Sequence, residues 1–140
     1  MISITGVTGN YILQPATIEK HAITLEWLSE SVLWKSELAT FQKILDQRAP
    51  FLLTLDDKKK IDHFQSLIIY YNGEVIDDLR KKLRDHENRL ARMLESKNES
   101  ETQYFKEHDA IIDEVITFST LFKQFRAELL AFTAQVKTVS

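Results

Sequence analysis

One regular pattern of apolar residues constrains the fold more than any other feature of this sequence. In the stretch from Tyr104 to Val136, apolar side chains recur at alternating steps of four and three residues. Such a heptad seam is typical of a long helix that packs lengthwise against other helices. One step further back the same seam reaches His108, a polar residue at a position that should be buried. The seam consists of Ile111, Val115, Phe118, Phe122, Phe125, Leu129, Phe132 and Val136.

Two earlier stretches carry seams of the same kind. Thr17 is the predicted N-cap of the first helix, Pro50 terminates it, and Asp56 or Asp57 is the predicted N-cap of the second. The first seam comprises Trp27, Ser31, Trp34, Leu38, Phe41 and Leu45, widened by Leu25, Leu28, Val32 and Ile44. The second comprises Ile61, Phe64, Ile68, Tyr71, Val75, Leu79, Leu83, His86, Leu90 and Met93. Its successive steps of four, from Tyr71 to Leu83, predict a local unwinding of the helix packing.

The scarcity of turn-forming residues favours a few long helices. The chain has only three glycines and two prolines, all within its first 73 residues. We therefore predict an all-α, antiparallel three-helix bundle with helices at about 17–47, 57–96 and 101–136, in which residues 17–140 form one domain. Residues 1–16 are predicted to be a non-helical arm, which is a short β-hairpin, a segment ordered by a partner, or a tail. The apolar segment 51–55 is expected to cap the bundle end or to form a sticky surface patch.

Charge and composition exclude several classes of function. The net charge is −3, and the basic residues of the second helix are interleaved with acids, so we expect no binding of nucleic acid. The absence of cysteine excludes thiol chemistry and iron–sulfur clusters. No apolar run reaches the length of a membrane span, and the first residues lack the pattern of a secretory signal. These features predict a cytoplasmic protein.

The spacing of the histidines predicts a polar layer in the bundle. His86 and His108 are equally distant from a turn centred near residue 97, so they should face each other across an antiparallel hairpin. His21 falls within one helical turn of the same level, although one position off the first seam. Three histidines are thus expected to cluster at the end of the bundle near the 96–100 turn. His63 belongs to the opposite end.

This predicted layer has two main interpretations. In one, His21, His86 and His108 bind a transition metal such as zinc or iron, with a carboxylate from Glu87, Glu107 or Asp109. In the other, His86 and His108 bond to each other or to acids and set the helix register. The ligand spacings of ferritin-like, haemerythrin-like and zincin sites are missing. A third interpretation is a phospho-accepting histidine, since residues 85–90 loosely resemble the histidine box of sensor-kinase hairpins, without its proline.

Several short motifs together resemble those of an uncharacterised family of short bacterial helical proteins. These motifs are Glu26-Trp27-Leu28-Ser29, Phe41-Gln42, His63-Phe64-Gln65, His86-Glu87 and His108. The resemblance spans about residues 20–135 and implies a bacterial, all-helical protein, without an established activity, ligand or partner. The chain departs from the family pattern at His21, which lies further ahead of Glu26-Trp27.

The sequence therefore favours a structural or protein-interaction function. We find no nucleophile–base pair and no glycine-rich phosphate loop, so enzymatic activity has no support in the sequence. The all-round apolar centre of the second helix, at residues 67–71, and the aromatic content of the third helix predict a homodimer or a protein partner. The alternative is a metal-binding bundle built on the three clustered histidines.

Overall fold

The computed structural model describes residues 7–8, 11–12, 15–96 and 101–136, which are almost entirely helical. The helices are α1 (Pro15–Arg48), α2 (Leu55–Tyr70), α3 (Ile76–Ser96) and α4 (Glu101–Thr133), with a 3-10 turn at Ala49–Phe51 and a π-helical turn at Tyr71–Val75. Two short antiparallel strands, β1 (Val7–Thr8) and β2 (Tyr11–Ile12), precede them. The predicted all-α class is confirmed. The antiparallel order of the whole bundle stays a prediction. Of the predicted turn at 96–100, Ser96 is the last residue of α3, and residues 97–100 and the rest of the arm lie outside the described residues.

Two of the predicted helix starts are wrong. Helix α1 begins at Pro15, whose fixed φ suits a first helical position, and Thr17 is fully buried within the first turn instead of capping it. Helix α2 is capped by Thr54, whose hydroxyl accepts a hydrogen bond from the Asp57 backbone N–H at 3.0 Å. Asp56 and Asp57 occupy the first turn instead, where the positive end of the helix dipole stabilises their negative charge.

The chain divides into two compact units, which differ in the chemistry of their cores. The first, called here the histidine unit, comprises Met1–Ser31 and Asp78–Ile116. The second, called here the aromatic unit, comprises Val32–Asp77 and Thr117–Ser140. Helices α1, α3 and α4 contribute residues to both units. The single domain predicted for residues 17–140 stays a prediction.

Stacked rings fill the core of the aromatic unit. The Trp34 and Phe118 ring centroids lie 5.0 Å apart, and Tyr71 packs edge-on against Phe118 at 5.2 Å. Further along the unit, the ring centroids of Phe64 and Phe132 lie 5.3 Å apart. Edge-to-face and tilted pairs of this kind add to the stabilisation from buried area. The α4 seam is confirmed as core from Ile111 to Phe132, while Val136 is partly exposed.

In the histidine unit, the buried face of α1 consists of small and polar residues, although the sequence predicted that Trp27 would lie on it. The buried α1 positions here are Thr17, His21, Thr24 and Ser31, so His21 lies on the seam, and the prediction that it is off the seam is wrong. The Thr24 and Ser31 hydroxyls donate to the α1 backbone carbonyls of Lys20 and Leu28, at 2.9 and 2.6 Å. Because those hydroxyls are satisfied within the helix, they can be buried at little cost.

The predictions for several seam residues, and for one residue expected to widen a seam, also require correction. Trp27 is only partly buried, and Val32, predicted to widen the first seam, is 54% exposed. Ile76 is fully buried, whereas Val75, the predicted seam residue, is only partly buried. The π-helical turn explains the change, because a π-turn holds an extra residue and moves the buried position one residue along.

Candidate functional site: a buried histidine–carboxylate cluster

The densest polar cluster of the described residues lies between α3 and α4 in the histidine unit. His86 Nδ1 lies 2.6 Å from Glu107 Oε1, and His86 Nε2 lies 3.3 Å from His108 Nδ1. Both histidines are almost fully buried. Since Lys82 contacts Glu114 and Arg89 contacts Glu107, residues later in α3 meet residues earlier in α4. The meeting of His86 with His108 predicted from the sequence is confirmed.

The hydrogen bonds restrict where the protons of this cluster can lie. An ionised carboxylate only accepts, so His86 Nδ1 carries a proton and donates it to Glu107. The second bond then requires one proton between His86 Nε2 and His108 Nδ1. When His86 is neutral, His108 is the donor. When His86 is protonated on both nitrogens, His86 is the donor and His108 stays neutral. Both ring nitrogens of His86 are thus engaged, which argues against a phospho-accepting role.

The Glu107 carboxylate links this buried pair to the surface. Its second oxygen accepts a hydrogen bond from Arg89 Nε at 3.1 Å. His86 and Glu107 also line a shallow groove of about 310 Å³ between α3 and α4, together with Lys82, Asp85, Ala110, Ile111 and Glu114. Arg89 therefore holds the carboxylate that orients His86, and that carboxylate reaches the groove.

A second imidazole–carboxylate pair joins α1 to α3 in the same unit. His21 Nδ1 lies 2.7 Å from one Glu87 oxygen and 2.8 Å from the other, and His21 is buried. The sequence placed His21 at the correct level and named Glu87 as a nearby carboxylate, and in the structure the contact of His21 is Glu87 and not another imidazole. Asp109, proposed as a metal ligand, is exposed.

Burial lowers the pKa of the His108 side chain to about 4. Loss of solvation is the main cause, and the nearby His86 and Lys20 lower the pKa further, while Asp109 opposes the shift. His108 is therefore neutral at physiological pH.

Tyr104 is a member of the cluster that sequence reasoning did not single out. Its ring packs edge-on against His86, with ring centroids 4.2 Å apart, and its side chain is fully buried. The Tyr104 hydroxyl has no hydrogen-bond partner, and burial together with Glu87 and Glu107 raises the pKa of that phenol. The signal was available, because Tyr104 lies one seam step before His108.

Fewer of the predicted metal ligands lie together than the sequence suggested. Among the residues that the structure describes, no group of three or more histidine or acidic side chains is arranged to hold a metal ion. His86 and His108 come together, whereas His21 pairs separately with Glu87. The metal-binding hypothesis for His21, His86 and His108 stays untested.

The aromatic unit exposes most of the large apolar side chains that are accessible to solvent. In the segment 51–55 only Leu52 is buried, while Phe51, Leu53 and Leu55 are 61%, 71% and 70% exposed. Leu52 alone therefore belongs to the core, and the capping role expected of this segment stays a prediction. In the middle of the second predicted helix, Ile69 and Tyr70 are 65% and 50% exposed. Outside this set, Val32, Leu33, Ile116, Leu121 and Leu130 are also exposed.

A search of family models, of curated proteins and of solved structures finds no match to this chain. Over residues 15–96 and 101–136, no helix is long and apolar enough to cross a membrane.

Proposed function

We propose that this protein is a non-enzymatic helical interaction module of the cytoplasm that associates with a second copy of itself. The observation that carries the proposal is the exposure of Ile69 and Tyr70 in the middle of a long helical run. Apolar side chains on the solvent face of a helix stabilise association when a partner covers them.

The surroundings of these two residues support a role in association. Phe64 and Ile68 are the α2 side chains that are buried in the core of the aromatic unit, whereas Ile69 and Tyr70 lie outside that core. Exchanging Ile69 or Tyr70 for polar residues would therefore leave that core intact. Within the unit the Tyr70 ring lies 6.0 Å from the Tyr71 ring, and half or more of the surface of Ile69 and of Tyr70 is exposed.

Sedimentation velocity over a wide concentration range tests self-association directly. We expect the wild-type protein to form a reversible dimer, and we expect Ile69→Lys to shift the protein to monomer because a charged ammonium cannot be buried in an apolar contact. Ile116→Lys is the matched control, since Ile116 is also exposed on a helix but belongs to the histidine unit. A wild-type protein that stays monomeric at the highest accessible concentration would contradict the proposal.

A second candidate function is metal binding by the histidine unit. It is favoured by the 3.3 Å separation of His86 Nε2 and His108 Nδ1, with Glu107 on the other nitrogen of His86. A carboxylate behind a ligating imidazole is a common arrangement around protein-bound metals. In this proposal the ligands are His86 and His108, joined by His21 only if it leaves Glu87.

Elemental analysis of untagged protein tests this second candidate. A metal ligand pair predicts bound zinc or iron in stoichiometric amount, and its loss in a His86→Ala/His108→Ala variant. His63→Ala is the control, because His63 lies in the aromatic unit. The absence of bound metal, together with an unchanged melting temperature on adding zinc or iron, would exclude it.

A further inference from the structure

We draw no further inference here: the strongest candidate, the groove of about 420 Å³ along α2 and α4 in the aromatic unit, lined by Phe64 and Phe132, carries none, because Lys60 at its edge is already paired with Asp56 and nothing among the described residues shows what would occupy it.

Discussion

At His108, burial couples folding to proton binding. The pKa of the folded side chain is lowered to about 4, whereas the unfolded side chain has an ordinary pKa of about 6.5. Between these two values the unfolded chain binds the proton and the folded chain does not. Stability is therefore highest above pH 6.5 and decreases as the pH falls toward 4.

The size of this effect follows from the difference between the two pKa values. It corresponds to roughly 3 kcal/mol of unfolding free energy lost between pH 7 and pH 4. Replacing His108 with Asn removes the titrating group, so urea denaturation of His108→Asn should show a flatter pH profile by about that amount. His63→Asn, which changes an exposed histidine, should retain the wild-type profile. Identical profiles for His108→Asn and wild type would show that His108 does not titrate as inferred.

The Tyr104 hydroxyl is expected to destabilise the folded state. It is fully buried without a hydrogen-bond partner, and such a group loses its solvation without compensation. Tyr104→Phe retains the ring that packs on His86 and should raise the unfolding free energy by about 1 kcal/mol. The exposed Tyr70 supplies the control, since Tyr70→Phe should change stability by less than about 0.5 kcal/mol. A loss of stability in Tyr104→Phe would indicate that the hydroxyl is hydrogen-bonded in solution.

Among the elements, the π-helical turn at Tyr71–Val75 accounts for an irregular seam. Ile68 and Ile76 are both buried but lie eight residues apart, one more than a heptad. Deletion of the exposed Asn72 restores the heptad spacing and permits a continuous α-helix. We expect chemical denaturation to show that this variant is as stable as wild type or more stable.

A deletion elsewhere in the same helical run provides the control. Removing the exposed Lys81 from α3 rotates every following seam residue, including Leu83 and His86, away from the core, so this variant should lose about 3 kcal/mol or more. Similar losses of stability in the two deletion variants would mean that the π-turn does not contain one residue more than the heptad pattern requires.

The seams of α4 and α1 show which buried residues can be predicted from the sequence and which cannot. The α4 core was predictable because large apolar residues fill every step from Ile111 to Phe132. On α1 the same rule located the seam from Ser31 to Leu45 but selected Trp27 by size, whereas the buried position in that turn holds Thr24. Small hydroxyl residues satisfied by their own helix leave no hydrophobic signal in the sequence.

The cluster was predictable in position, and the bonding of His86 to His108 and to an acid was one of the two predicted interpretations. Symmetry about a turn sufficed to bring His86 and His108 together, because helical rise sets the level of each residue. The choice of Glu107 for His86 and of Glu87 for His21 depends on side-chain rotamers, which residue spacing does not determine.

At the scale of the whole molecule, the two units should respond differently to acid. The histidine unit buries Thr17, His21, Thr24, Ser31, His86 and His108, whereas Thr133 is the one polar residue that the aromatic unit buries among the described residues. Protonation of the buried His108 side chain therefore acts on the first unit.

Hydrogen exchange can measure this difference along the chain. After correction for intrinsic exchange rates, lowering the pH from about 7 to about 4.5 should reduce the protection of residues 78–94 in α3. Residues 55–70 in α2 should keep their protection. In His108→Asn the loss in α3 should be smaller. Equal loss in both segments would show that the two units open together.

The two units also contain one tryptophan each, a consequence of their division within α1. Trp27 belongs to the histidine unit and is partly accessible to water, whereas Trp34 belongs to the aromatic unit and is 2% exposed against the Phe118 ring. Indole fluorescence depends on the polarity around the ring, so the native emission spectrum is the sum of a red-shifted and a blue-shifted component. The protein thus carries an optical reporter in each unit, and Trp34→Phe or Trp27→Phe leaves the signal of the other unit alone.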